Sequence, residues 1–228
     1  LTFIEISRSV NYQSNEYIIT SIGKLSFAYH NEILDINFSE DSELQTIEDE
    51  AFSHSLIHSI QIPSSCTKIG KKAFLNCEKL IKVYISQDSK LTIIDNEAFF
   101  FSAIDYFFVP PFVTRIGDGC FDSCSNLTKI EIPENSQLRT IGKEAFAWTP
   151  INYLYIPEFL DDFGEDWICS TTELKRVDIS PHNKNMKFIK EDKLMIAKKS
   201  DPNIDLYDNL IYANRNLFFA FIPSFIKI

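Results

Sequence analysis

Hydrophobic and polar positions along this chain recur at a fixed interval. Ala51-Phe52, Ala98-Phe99 and Ala145-Phe146 lie 47 residues apart. Ile62-Pro63, Val109-Pro110 and Ile156-Pro157 keep the same interval, as do Leu44, Leu91 and Leu138, and Gly23, Gly70, Gly117 and Gly164. A period held at so many sites predicts a solenoid, in which each repeat buries its apolar face only against its neighbours. Such an architecture argues against a pocket enzyme.

The unit divides in two. The series Phe27, Phe52, Phe74, Phe99, Phe121, Phe146 advances in alternating steps of 25 and 22 residues. Each step suits one coil of a leucine-rich repeat, about 20 to 29 residues long. The longer step takes up its extra residues in similar loops, at 40–43, 87–90 and 134–137. Segments such as Ser59-Ile60-Gln61-Ile62-Pro63 and Lys129-Ile130-Glu131-Ile132-Pro133 alternate outward and inward, the period of a strand. Proline ends each strand because it cannot donate to the ladder. Turns follow at Ile69-Gly70, Ile116-Gly117 and Ile141-Gly142. Glycine at this repeat position implies a backbone conformation that other residues enter less easily. The Ala-Phe pair, small then large, predicts a short helical turn packing inward. Leu80, Leu127 and Leu174 lead into the next strand.

The expected fold is therefore α/β: a right-handed leucine-rich-repeat solenoid of about eight or nine coils. A parallel β-sheet forms its concave face, and short helices and turns form its convex face. A single domain covers residues 1–228, with regular repeats at about 22–180. Residues 11–20 lengthen the first connection. An irregular insertion covers 183–217, with apolar stretches at 193–197 and 206–213 suited to hairpins. The repeat resumes over 218–228 with Phe221-Ile222-Pro223. The chain opens on a strand-like segment and stops partway through a repeat, so it reads as a fragment of a longer one.

Strand alternation also says which residues leave the core. With Val83/Ile85, Phe107/Val109, Ile130/Ile132, Leu154/Ile156 and Val177/Ile179 facing in, the concave face presents Lys82 and Tyr84, Tyr106 and Phe108, Lys129 and Glu131, Tyr153 and Tyr155, Arg176 and Asp178. The aromatic members would span roughly 20 Å at the strand spacing. Exposed aromatics beside a few charges are the composition of an interaction hot spot. Lys82, Tyr84, Tyr106, Phe108, Lys129, Glu131, Tyr153, Tyr155 and Arg176 are the candidate ligand-binding residues. The competing reading is that Tyr and Phe simply suit a sheet and stack along its ladder.

Composition narrows the partners. The formal net charge of −10 disfavours nucleic acid and anionic lipid. The most apolar stretch, 98–113, is interrupted by Asp105 and two prolines, so no direct membrane insertion is expected in this segment. Catalytic signatures are absent: no P-loop, dinucleotide fingerprint, His-Glu-x-x-His or Gly-x-Ser-x-Gly occurs. No metal site or cofactor is expected. His54 and His58 flank Leu56 at a strand entrance, and the acidic turns at 48–50 and 95–97 lack EF-hand spacing and read as solvated. Cys77 and Cys124, two coils apart, are too distant to bridge, and Cys120 replaces the small residue of the Ala-Phe pair. Buried free thiols are expected. Asn37-Phe38-Ser39 and Asn126-Leu127-Thr128 fit a glycosylation sequon.

The repeated unit Ile69-Gly70-Lys71-Lys72-Ala73-Phe74-Leu75-Asn76-Cys77-Glu78-Lys79-Leu80, continuing into Val83-Tyr84-Ile85, resembles the BspA-type (Treponema pallidum-type) leucine-rich repeat. So does Ile116-Gly117-Asp118-Gly119-Cys120-Phe121, running on through Leu127 to Ile130-Glu131-Ile132-Pro133. Richness in Asn, Ile and Phe, with Tyr207 to Arg215, is similar to protist members such as those of trichomonads. The resemblance implies a cell-surface or extracellular protein that binds a protein or glycan, on a host cell or in matrix. It brings no catalytic residues. An intracellular interaction scaffold and a structural spacer without its own ligand are the alternatives.

Overall fold

The computed structural model describes residues 2–189, 194–198 and 207–213. Eight long strands lie along one face: Thr2–Ile6, Ile33–Phe38, Ser59–Ile62, Lys82–Ile85, Tyr106–Phe108, Lys129–Glu131, Tyr153–Ile156 and Arg176–Ile179. The first four form one parallel ladder, and the last four form two parallel pairs. A second face carries seven two-residue strands, Ser21–Ile22 to Asp162–Phe163, in one parallel sheet in chain order. The core lies between, where the inward residues of both sheets meet the buried leucine, isoleucine and phenylalanine columns.

The third side of each coil holds no helix, contrary to the α/β expectation with short helices on the convex face. Among the described residues the protein is built of strands and turns alone. The reason lies in where the amides point. In one coil, Ala51, Ser53 and Ser55 donate within the turn, to the carbonyls of Glu48, Glu50 and Phe52. The intervening amides of Glu50, Phe52 and His54 donate to Lys71, Ala73 and Leu75 of the next coil, at 2.9, 2.8 and 2.7 Å. A helix needs every amide aimed along its own axis. Left-handed residues four apart, Glu50 and His54 here and Lys72 and Asn76 in the next coil, turn alternate peptides outward.

These bonds connect into files. Phe27 N–H donates to the Ala51 carbonyl, whose own peptide donates through Phe52 N–H to Ala73. The file continues through Phe74 to Ala98, Phe99 to Cys120, Phe121 to Ala145 and Phe146 to Trp167, every bond 2.7–2.8 Å. Two parallel files pass through Tyr29, His54, Asn76, Phe101, Ser123 and Trp148, and through Glu50, Lys72, Glu97, Gly119 and Glu144. Side chains of the acidic turns reinforce them. Asp49 accepts from the Lys71 amide, Asn96 from Asp118 and Asp118 from Lys143, at 2.9, 3.1 and 2.9 Å. Those turns are more than solvated surface.

The pitch places Phe27, Phe52, Phe74, Phe99, Phe121 and Phe146 in a nearly parallel stack, with centroids 5.0–5.6 Å apart. Free aromatic pairs prefer offset or edge-to-face contact. Phe107 supplies that contact, meeting Phe99 and Phe121 edge-on at 5.1 and 4.9 Å.

The glycines correct a second expectation. Of the six, only Gly119 has a left-handed φ, and it occupies a position that Glu50, Lys72, Glu97 and Glu144 fill with the same φ sign. Gly70, Gly117, Gly142 and Gly164 are needed for proximity. A Cβ on Gly117 would lie 2.4 Å from the Asn96 nitrogen and 2.5 Å from the Asp95 carbonyl carbon.

Two departures from the repeat take definite form. Overlapping the expected lengthening at 11–20, the chain makes a hairpin, Ser9–Tyr12 against Asn15–Ile18, across Gln13 and Ser14, both left-handed. At the other end Met186–Ile189, Leu194–Lys198 and Tyr207–Ala213 form an antiparallel sheet. That sheet takes the place of further coils, so about seven turns form among the described residues against the eight or nine expected. The resumption expected at 218–228 lies outside them.

Asn183 marks the change. It lies 47 residues after Ser136, in the column where the Ser42, Ser89 and Ser136 hydroxyls accept from the amides of Leu44, Leu91 and Leu138. Its Oδ1 accepts from the Asn185 and Met186 amides, and its Nδ2 donates to the Pro157 and Leu160 carbonyls. One side chain thus ties the departing chain to the preceding coil.

Cys66, Cys77, Cys120 and Cys124 are buried and unbridged, and Cys169 is exposed. Burial pushes Cys66 up to about 11 and Cys77 and Cys124 up to about 12, and Cys120 well above its ordinary value. Cys77 and Cys124 donate to the Phe52 and Phe99 carbonyls, which keeps the protonated form in use.

Gly117→Ala should lower stability toward the upper end of about 1–3 kcal/mol, because rigid backbone must move. Gly119→Ala should cost about 1 kcal/mol, the left-handed penalty alone; equal losses in urea unfolding would contradict the proximity argument. For the thiols, a native sample at pH 8 should alkylate Cys169 only, with the four buried cysteines reacting after denaturation. The folded state retains protons that the unfolded state loses near its ordinary value of 9.0. Stability should therefore be intact below that pH and fall as pH rises through 9 toward about 12.

Candidate binding face

The outward residues of the long strands form the candidate site. Lys82, Tyr84, Lys129 and Arg176 are exposed; Tyr106, Phe108, Glu131, Tyr153 and Tyr155 are half-buried. None enters the core, because the alternating Val83, Phe107, Ile130, Leu154 and Val177 do so.

The ladder brings these residues into register. Tyr106 pairs with Lys129 and Phe108 with Glu131; two coils on, Tyr153 pairs with Arg176 and Tyr155 with Asp178. The first pair builds a three-membered cradle. The Tyr106 hydroxyl donates to Glu131 Oε2 at 3.0 Å, and Lys129 Nζ reaches the same oxygen at 2.8 Å. That ammonium also lies 5.2 Å from the Tyr106 ring centroid. The second pair repeats the design. Tyr153 donates to Asp178 Oδ2 at 3.2 Å, Arg176 grips both oxygens of Asp178 at 2.9 and 2.7 Å, and its guanidinium lies 5.9 Å from the Tyr153 centroid. Tyrosine, cation and carboxylate each recur 47 residues apart.

Electrostatics follow the contacts. Burial and the hydrogen bond to Glu131 push the Tyr106 phenol up to about 12, and burial with the Asp178 charge raises Tyr153. The Lys129 hydrogen bond, with that from Tyr106, holds the Glu131 carboxyl below its usual range. Lys82 is engaged too, with Asp105 at 2.9 and 2.7 Å. The cations of the face are therefore already compensated.

An open groove of about 990 Å³ crosses the N-terminal part of the face. Lys82, Tyr84, Tyr106, Phe108 and Glu131 line it, while Lys129, Tyr153, Tyr155 and Arg176 lie outside its lining. Its lining takes in Gln61, outward by the same alternation, and adds residues that alternation does not single out, among them Phe38, Glu40 and Asp88. Glu40 and Asp88 sit in the loops where the longer coils carry their extra residues, and loop length was the signal for them. Asp105 and Asp178 were legible as the carboxylates nearest Lys82 and Arg176 in the ladder. Among the described residues no group of three or more His, Cys, Asp or Glu is placed to hold a metal ion. Nor, among the described residues, is any helix long and apolar enough to cross a membrane.

The two cradles should behave alike. Double-mutant cycles on Tyr106→Phe with Glu131→Gln, and Tyr153→Phe with Asp178→Asn, should each give a favourable coupling below about 1 kcal/mol, as half-exposed hydrogen bonds do. Zero coupling in urea unfolding would show the hydroxyls to be unengaged in solution.

Comparison with known proteins agrees with this geometry. No curated protein sequence matches the chain. Among solved structures, a leucine rich cell surface protein from Faecalibacterium prausnitzii A2-165 is 22% identical, with a TM-score of 0.75, over 92% of this chain and 54% of its own. The pneumococcal vaccine antigen PcpA is 20% identical, with a TM-score of 0.64, over 93% of this chain and 46% of its own. A leucine-rich repeat protein from Bacteroides ovatus ATCC 8483 is 20% identical, with a TM-score of 0.55, over 79% of this chain and 61% of its own. The chain spans about half the length of the first two, and at these identities the likeness is one of fold. The family model for the BspA type leucine rich repeat region matches in six copies over residues 6–113 and 92–220. A solenoid of parallel coils with this repeat unit written through nearly its whole length belongs to the BspA-type leucine-rich repeat family, a repeat-built interaction module.

Proposed function

We propose that this chain is a non-enzymatic binding module of a cell-surface protein, recognising a protein or glycan on a host cell or in matrix through its long-strand face. The observation that carries the reading is the row of solvent-facing rings held on a rigid ladder, with Tyr106 and Tyr153 fixed by their own carboxylates. Such a surface loses little side-chain freedom on binding, which favours affinity. Fold relatives described as a cell surface protein and a vaccine antigen support the surface location. One observation favours an intracellular scaffold instead: five free thiols, four of them buried.

The test is binding of the protein to host cells and to immobilised matrix. A Tyr106→Ala, Tyr155→Ala double variant that unfolds cooperatively like wild type should bind at least about tenfold more weakly, as expected for loss of hot-spot aromatics. A normally folded variant with full binding would remove the face from consideration.

A further inference from the structure

The two cradles supply their own cations, but the pattern opens one repeat nearer the N terminus. There the corresponding positions carry Ser59, Lys82 and Tyr84. Lys82 is taken by Asp105, and Ser59 donates to Asp35. Tyr84 stands where Glu131 and Asp178 stand in later coils. Tyr84 is 57% exposed, the most open of the candidate aromatics, and among the described residues no cation or second ring meets it. Glu40 and Asp88 line the same groove, and neither meets a cation among the described residues; Asp88 accepts only from the Ser86 hydroxyl. Lys82 and Glu131 are internally neutralised, so the groove keeps two uncompensated carboxylates beside an unoccupied ring.

We propose that this groove binds a basic, extended peptide segment, whose arginine or lysine takes the place over Tyr84 that Lys129 takes over Tyr106. The inference rests on the long-strand face being a binding face and names its partner. A cation over a tyrosine ring is attracted by the ring quadrupole, and nearby carboxylates add to that attraction. The net charge of −10 draws basic segments from a distance in the same sense. A neutral glycan would donate hydroxyl hydrogen bonds to both carboxylates but leave their charge uncompensated, and an acidic one would be repelled. The lining runs across five successive long strands, from Phe38 to Glu131. At the strand spacing that is about 19 Å, room for roughly six extended residues.

The experiment is fluorescence anisotropy with the 228-residue chain and a labelled octapeptide of alternating arginine and serine. A glutamate–serine octapeptide, a neutral oligosaccharide and unlabelled spermine are run beside it. The arginine peptide should bind and weaken about tenfold between low and moderate salt. Glu40→Gln with Asp88→Asn should weaken it about tenfold, and Tyr84→Ala about fivefold. Glu165→Gln with Asp166→Asn, the same charge change on the last coil, should leave binding unaltered. The proposal is overturned if the glutamate peptide or the oligosaccharide binds as tightly, or if both double variants weaken binding equally. Competition by spermine as strong as by unlabelled arginine peptide would likewise replace peptide recognition by simple charge accumulation. Should no peptide bind while the Tyr106→Ala, Tyr155→Ala variant still loses cell or matrix binding, the face stands and only its peptide partner is wrong.

Discussion

The pitch of this solenoid is set by peptide groups that accept from one coil and donate to the next. Three files of them pass through the turn side, with donor–acceptor distances from 2.7 to 3.1 Å, while parallel ladders hold the other two sides. Everything between consecutive coils must fit that distance. A side chain at Gly117 or Gly142 would strike the backbone beneath it. Phenylalanines lie flat on one another instead of tilting edge to face. A helical turn cannot form, because its amides would have to abandon the neighbouring coil. Stability in such an array is a sum over neighbours, so a fault at one coil is felt chiefly by the two beside it.

The same pitch governs the long-strand face. Outward residues on consecutive strands stand side by side whether or not their chemistry agrees, and like charges there would repel. Tyr106, Lys129 and Glu131, and again Tyr153, Arg176 and Asp178, resolve this by closing into neutral groups. The cost of ordering these long side chains is met within the protein. What remains free for a partner is ring surface and, at the groove, the carboxylates of Glu40 and Asp88.

Much of this could be read from residue spacing, and the rest failed for definable reasons. Periodicity located the coils, the phenylalanine column and the outward residues, because each depends only on which positions repeat. It misjudged the turn side, because Ala-Phe flanked by polar residues has helical composition while the deciding amides pair with a coil 22 to 25 residues away. It assigned the glycines to a backbone conformation, because close approach between coils leaves the same mark in a sequence as a positive φ. It named Lys129 and Arg176 as ligand-binding residues without their partners, although their 47-residue offset, shared with a tyrosine and a carboxylate, already held the cradle. Asn183 was placed at the start of the irregular segment; its membership of the Ser42, Ser89, Ser136 column shows only when its hydrogen bonds are followed.

The three peptide files all run one way. Every peptide in them turns its carbonyl toward the preceding coil and its amide toward the following one. An α-helix has the same kind of spines, and their dipoles add to a partial positive charge at its N-terminal end. Here the sum has the opposite sense relative to the chain: the negative pole faces the first coils and the positive pole the last. Lys24 sits on the first coil, and Glu165 and Asp166 on the last that accepts from the files. Each charge lies at the pole that favours it. The solenoid thus acts electrically as one thick, reversed helix whose axis runs across its own strands.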